Sequence, residues 1–129
     1  MNKEFIPYEQ ALELKELGFD EVCLGYHNID PYLPNPTFNL VRPFEHEWCL
    51  PAPLYQQAFR WFREKYEIHF DIRAFVWDFE KQQLAFKISF YINPFDNSTK
   101  RENWFGVYLK YEEAELACLK EFINLVKNK

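Results

Sequence analysis

The stretch that decides the fold reads APLYQQAFRWFREKY at residues 52–66, followed by IHFDIRAFVWDF at 68–79 and LAFKISFYI at 84–92. The first segment repeats its apolar side chains at the spacing of an amphipathic helix, whereas the other two alternate at the period of a strand. We therefore predict an α+β fold in which an antiparallel hairpin packs against helices. The predicted strands are 68–79 and 84–92, and the predicted helices are about 7–17, 53–66 and 111–127.

Each predicted helix has an apolar stripe that should face the core. Gly18 is expected to end the first helix in the left-handed conformation and to bring Phe19 back onto Leu14. In the second helix the stripe comprises Leu54, Tyr55, Ala58, Trp61, Phe62 and Lys65 or Tyr66. In the third helix it comprises Leu116, Leu119, Ile123 and Val126.

The even-numbered positions of the predicted hairpin are apolar on both strands, and we expect them to share the buried face. This arrangement requires paired residue numbers to sum to an even value, for example Ile72 opposite Phe90. The turn near 80–83 must then contain an odd number of residues or a bulge. The residues of this face are Ile68, Phe70, Ile72, Ala74 and Val76 on one strand, and Leu84, Phe86, Ile88, Phe90 and Ile92 on the other.

The odd-numbered face of the hairpin is a mixed polar and aromatic surface. It contains His69, Asp71, Arg73, Phe75 and Trp77 beside Lys87, Ser89 and Tyr91. A solvated face with cross-strand charge pairs accounts for most of these residues, because antiparallel sheets commonly have one wet side. Phe75, Trp77 and Phe79 exceed what such a face needs, so either the proline-rich segment 28–53 or a partner covers them. The residues expected to bind a partner protein are Arg73, Phe75, Trp77, Lys87 and Tyr91.

The composition is typical of one small, acidic, aromatic-rich domain. The chain has 129 residues, of which 48% are hydrophobic and 20% aromatic, so we expect a single compact domain over 1–129. The formal net charge of −5 disfavours nonspecific attraction to nucleic acid or anionic lipid.

The cysteine pattern favours a reducing compartment. Cys23, Cys49 and Cys118 are odd in number and widely spaced, unlike the disulfide framework of a small secreted protein. The N-terminus MNKEFIPYEQ lacks an apolar core of signal-peptide length, and no run of about 18 apolar residues occurs. We therefore expect a cytoplasmic protein that is neither exported nor membrane-spanning.

Two weaker elements precede the central helix. The segment EVCLGYH at 21–27 alternates Val22, Leu24 and Tyr26 with Cys23, Gly25 and His27, which predicts a short, half-buried strand. Six of the eight prolines lie between 28 and 53, so this segment should be irregular except for a strand at TFNLV. Its many apolar residues indicate an ordered covering loop.

Three blocks of the chain resemble a known group of sequences: FIPYEQALELKELGFDE at 5–21, APLYQQAFRWFREKY at 52–66 and YEEAELACLKEFI at 111–123. They are similar to a family of small uncharacterised proteins encoded by bacterial phages and other mobile elements. The resemblance implies a phage-like context and carries over no activity, cofactor or functional residue.

A metal site is conceivable at Cys23, His27, His46 and Cys49. Residues four apart in a strand are about 13 Å from each other, which is too far for one tetrahedral ion. Only a sharp bend at Gly25 would bring Cys23 and His27 together. We therefore expect ordinary buried thiols and surface histidines here, with no metal and no cofactor, and Cys118 should simply fill space in its helix.

Three function classes are consistent with these patterns. We expect a non-enzymatic cytosolic accessory protein that acts by protein–protein binding or self-association. The first alternative is single-stranded nucleic-acid binding through Arg60 and Arg63, with Lys65 on the same helix and Lys100, Arg101 and Trp104 near a predicted loop. The acidic net charge makes nucleic acid a poor partner. The second is a small hydrolase or nuclease that uses His69 and Asp71, for which no nucleophile or oxyanion-binding turn is recognisable.

Overall fold

The structure, a computed structural model, describes residues 4–29, 32, 35–40, 48–92 and 105–128. Over these residues three helices and six strands follow one another, and the predicted α+β class is confirmed. The helices are α1 (Tyr8–Glu16), α2 (Tyr55–Tyr66) and α3 (Tyr111–Lys127). The strands are β1 (Gly25–Asn28), β2 (Thr37–Leu40), β3 (Cys49–Ala52), β4 (Ile68–Asp78), β5 (Gln83–Ile92) and β6 (Phe105–Tyr108).

The chain divides into two compact units, Met1–Ala58 and Phe59–Lys129, with the division inside α2. Each unit has its own three-stranded antiparallel sheet. The single domain expected over 1–129 stays a prediction.

In the first unit, α1 ends as its sequence predicts. Gly18 has a φ of 100°. The N–H of Gly18 donates to the carbonyl of Lys15, and that of Phe19 donates to the carbonyl of Leu14 at 3.0 Å. These two bonds are those of a Schellman motif, and the side chains of Leu14 and Phe19 are both buried.

The strand predicted at 21–27 begins only at Gly25, and the aliphatic residues that precede it are exposed. Val22 is 94% exposed and Leu24 is 64% exposed, whereas Gly25 and His27 are buried. The rings of Phe5 and Phe38 lie 4.8 Å apart. A Cβ at Gly25 would lie 2.8 Å from the Phe38 ring and 3.0 Å from that of Phe5. Glycine therefore lets the two rings pack over the strand.

The proline-rich segment contains one strand more than the sequence indicates. The strand at TFNLV is confirmed as β2, which pairs with β1, and β3 pairs with the other edge of β1. Pro51 lies in β3 with its side chain exposed. Proline is tolerated there because β3 is an edge strand of this sheet, where one row of N–H groups has no ladder bond to make. The rest of the expected covering loop, at 30–31, 33–34 and 41–47, lies outside the described residues.

In the second unit, β5 lies between β4 and β6. The paired residues of β4 and β5 sum to an even number through Ile68–Val76, as the apolar alternation requires. Ile72 is opposite Ile88, so the expected partner Phe90 is wrong by two residues. The register shifts between Val76 and Asp78, so of the two predicted options, an odd-length turn or a bulge, the chain has the bulge, with Trp77 as the additional residue.

The core of the second unit is built from phenylalanines. The ring of Phe122 on α3 lies 5.6 Å from Phe59, 5.5 Å from Phe62, 5.8 Å from Phe70 and 6.3 Å from Phe90. Phe59 and Phe122 are buried, yet neither is in the predicted stripes. Leu116 and Val126, which are in the predicted stripe of α3, are only half-buried. The inward face of α3 is therefore rotated toward Phe122.

None of the helices that the structure describes has both the length and the apolar composition needed to cross a bilayer.

Candidate functional site

The odd-numbered face of the hairpin carries its charges along the strand rather than across it. Arg73 is directly opposite Lys87, so this cross-strand pair joins like charges instead of the expected opposite ones. Arg73 Nη2 lies 3.5 Å from Asp71 Oδ2, two residues away on the same face. Lys87 Nζ lies 5.3 Å from the centre of the Phe75 ring, a cation–π distance. The two cations thus have favourable neighbours although they oppose each other.

Trp77 remains on this face despite the bulge. Its ring meets that of Phe75 edge to face, with centroids 6.2 Å apart. Trp77 is nevertheless 54% exposed and Phe79 is 83% exposed. The residues that the structure describes leave both side chains more than half exposed. An exposed and partly fixed tryptophan is the kind of side chain that anchors protein interfaces.

The β5 side of the odd-numbered face is less solvated than the sequence indicates. Ser89 is 1% exposed and Ala85 is fully buried, although both alternate with residues of the opposite, apolar face. Tyr91, opposite His69, is half-buried. Of the five predicted binding residues, Arg73 and Trp77 are exposed, whereas Phe75, Lys87 and Tyr91 are half-buried. Exposed aromatic surface is therefore concentrated toward the turn.

The turn end of the hairpin exposes apolar residues from both faces. We define the turn-end cluster as Val76, Trp77, Phe79 and Leu84. Val76 and Leu84 oppose each other and are 45% and 51% exposed, so their predicted burial is wrong. Ala74 is exposed as well. The even-numbered face is buried only toward the far end from the turn, where Ile68, Ile88 and Phe90 lie.

The physical reason for this exposure is length. The 11 residues of β4 span about 36 Å, whereas the 12 residues of α2 span about 18 Å and the 17 of α3 about 26 Å. Neither helix is long enough to cover the whole apolar face of β4. The turn end extends beyond what a helix of these lengths can cover.

The turn itself is held by local hydrogen bonds. Asp78 Oδ1 accepts from the N–H of Glu80 at 3.0 Å and from that of Lys81 at 3.2 Å. Gln82 takes a φ of 53°, and its N–H donates to the carbonyl of Phe79. These bonds order the backbone that presents Phe79.

The residues considered for a metal site have other roles where the structure describes them. His27 is buried rather than on the surface, and its Nε2 donates to the carbonyl of Ile6 at 2.9 Å. Its ring packs edge-on against Tyr8 and Phe38. His46 lies outside the described residues. Across the part of the chain that is described, no group of three or more His, Cys, Asp or Glu residues could hold a metal ion.

His27 should make folding pH-dependent. Burial lowers the pKa of His27 below its ordinary value of 6.5, and the hydrogen bond to Ile6 opposes this shift only in part. The unfolded chain therefore takes up the proton more readily. We expect the free energy of unfolding to be undiminished above about pH 6.5 and to fall as the pH drops below it. Urea unfolding of wild type and His27→Gln at a series of pH values measures this effect. An equally steep loss in the variant would contradict the assignment to His27.

The cysteines should differ from a free thiol in reactivity. Burial, with Glu21 nearby, raises the pKa of Cys23 from 9.0 to about 12. Burial also raises the pKa of Cys118, which is fully buried as expected for space filling. Because the thiolate is the nucleophile, iodoacetamide at pH 8 should modify both at least about tenfold more slowly than a peptide cysteine. Mass spectrometry gives the rates, with the urea-unfolded chain as control. Native rates equal to the unfolded ones would contradict the burial.

The structure describes only some of the residues of the two alternative functions. Arg60 and Arg63 are exposed on α2, and Lys65 Nζ lies 5.0 Å from the Trp61 ring. Lys100, Arg101 and Trp104, the other half of the nucleic-acid prediction, lie outside the described residues. Of the hydrolase pair, Asp71 contacts Arg73, and His69 is opposite Tyr91.

Comparison with known proteins returned no matching family model, no matching curated protein and no matching solved structure. The resemblance to phage-encoded proteins therefore stays a prediction from the three sequence blocks.

Proposed function

We propose that this chain is a non-enzymatic cytosolic accessory protein, of phage or mobile-element type, that acts by binding another protein through the β4–β5 hairpin. The observation that carries the proposal is the exposure of Trp77 and Phe79 beside Val76 and Leu84. Adjoining apolar side chains on an ordered surface commonly mark protein-interaction sites.

The surroundings of the turn-end cluster support a protein partner. Phe75 and Trp77 form an aromatic pair, and Arg73, Asp71 and Lys87 lie along the same face. Protein interfaces combine an aromatic centre with a polar rim in this way. Charged groups of both signs would set the orientation of the partner, while Trp77 would supply much of the binding energy.

Affinity capture from the native host, with mass spectrometry of the retained proteins, tests the proposal. Wild type should retain a specific protein that Trp77→Ala does not retain. Tyr32→Ala is the matched control because Tyr32 is an exposed aromatic residue of the other unit, and it should capture as wild type does. A monomeric wild-type protein that retains nothing specific would contradict the proposal.

A further inference from the structure

The outer edge of β4 carries the next inference. Among the described residues, β4 pairs with β5 on one side and with no strand on the other. Its 11 residues make it longer than the five or six that are usual for a strand. Natural proteins protect such edges or use them for pairing, because an open edge offers a row of backbone donors and acceptors. Asp71, Arg73 and Ala74 on this strand are exposed.

We propose that two copies of this chain associate by antiparallel pairing of their β4 edges, with Ile72 on the two-fold axis. The two three-stranded sheets then form one six-stranded sheet. This contact uses the backbone edge of Ile68–Val76 and not Trp77, so it goes beyond the proposed function and the two can fail independently.

Symmetry and the pleat restrict the register. A two-fold axis perpendicular to the sheet keeps each face on its own side, and paired residues of antiparallel strands lie on the same face. One residue must therefore lie directly opposite its own copy, with the axis between the two copies. Regular pairing in β4 extends from Ile68 to Val76, where the bulge at Trp77 interrupts it. The midpoint of that regular segment is Ile72.

Charge complementarity selects the same residue. With Ile72 on the axis, Asp71 lies opposite Arg73 of the second copy, and Arg73 lies opposite its Asp71. An axis at Asp71 would oppose two carboxylates, and an axis at Arg73 would oppose two guanidinium groups. An axis at Phe70 would use only the five residues 68–72. An axis at Ala74 would place Asp71 opposite the bulged Trp77.

The remaining pairs of this register are also compatible. Ile68 lies opposite Val76 of the second copy, which places an apolar neighbour beside a side chain that is 45% exposed. Phe70 lies opposite Ala74, a large residue beside a small one, and His69 lies opposite Phe75. Apolar and opposite-charge pairs across neighbouring strands are the stabilising units of a sheet.

Charge reversal tests the proposal through three proteins. Asp71→Arg places two like-charged pairs in the homodimer, and so does Arg73→Asp. Each variant should raise the dimer dissociation constant about tenfold or more relative to wild type, measured by sedimentation velocity over a concentration series. An equimolar mixture of the two variants should recover association. In the mixed dimer the arginine introduced at position 71 of one variant lies opposite the aspartate introduced at position 73 of the other, and the second cross-strand pair is the native one.

The outcomes decide the proposal as follows. Dimeric wild type, weakened single variants and recovery in the mixture support it. A monomeric wild type, unweakened single variants or a mixture that stays dissociated overturns it. Both side chains are exposed, so the variants should fold, and circular dichroism verifies this. If either single variant is unfolded, the double variant Asp71→Arg/Arg73→Asp decides, since it should dimerise like wild type. Trp77→Ala should remain dimeric whether or not it captures a partner.

Discussion

Replacing Phe122 with alanine is expected to lower the free energy of unfolding by about 3–5 kcal/mol. Phe122 is fully buried, and its ring contacts the rings of Phe59, Phe62, Phe70 and Phe90. These four partners come from α2, β4 and β5. Removing the central ring leaves a cavity that they cannot all move to fill, because the interior is close-packed.

Phe79→Ala is the matched control for this loss. The same ring is removed, but Phe79 is 83% exposed, so its free energy of unfolding should change by less than about 0.5 kcal/mol. Urea unfolding followed by circular dichroism measures both variants. Equal losses from Phe79→Ala and Phe122→Ala would show that Phe122 is not the centre of this core.

Replacing Trp77 with alanine should raise the dissociation constant for the captured partner by about 30-fold or more, which corresponds to at least about 2 kcal/mol of binding. The rigid indole supplies a large contact area at little entropic cost, and its exposure leaves it available to a partner. Isothermal titration calorimetry with the purified partner gives the change. Lys87→Ala should have a much smaller effect, because charges at an interface rim contribute little to affinity.

The stability of Trp77→Ala separates binding from folding. Its melting temperature should remain within a few degrees of wild type, since a change of about 1 kcal/mol moves the midpoint of a domain this size by only a few degrees. A large drop in melting temperature would mean that Trp77 belongs to the core. The binding surface would then have to lie elsewhere.

The elements that the sequence predicted well are those with a strong local signal. The bounds of α3 match the prediction, and α2 and the hairpin strands match within one or two residues. The even pairing sum, with either an odd-length turn or a bulge, followed from the apolar alternation, because a register slip of one residue would expose that face. The alternation did not determine which residue of β5 lies opposite each residue of β4. The length of the turn sets that pairing, and the four residues 79–82 have no recognisable turn sequence.

The failures concern what covers each surface, which the local sequence does not encode. Val76 and Leu84 were predicted to be buried because they continue the apolar alternation. A comparison of strand and helix lengths would have shown that this end of the hairpin extends beyond the helices. Phe59 and Phe122 face inward because neighbouring rings fill that side. His27 was predicted to lie on the surface. Its buried ring donates to the carbonyl of Ile6, which is 21 positions away and cannot be recognised as its partner from the local sequence.

Hydroxyl-radical footprinting of the chain with and without its captured partner tests the central claim most directly. Oxidation of Trp77 and Phe79 should fall when the partner is bound, while oxidation of Tyr32 should be unchanged, since all three side chains are exposed in the free chain. Protection of Tyr32 with no change at Trp77 and Phe79 would contradict the assignment of the binding surface to the β4–β5 hairpin.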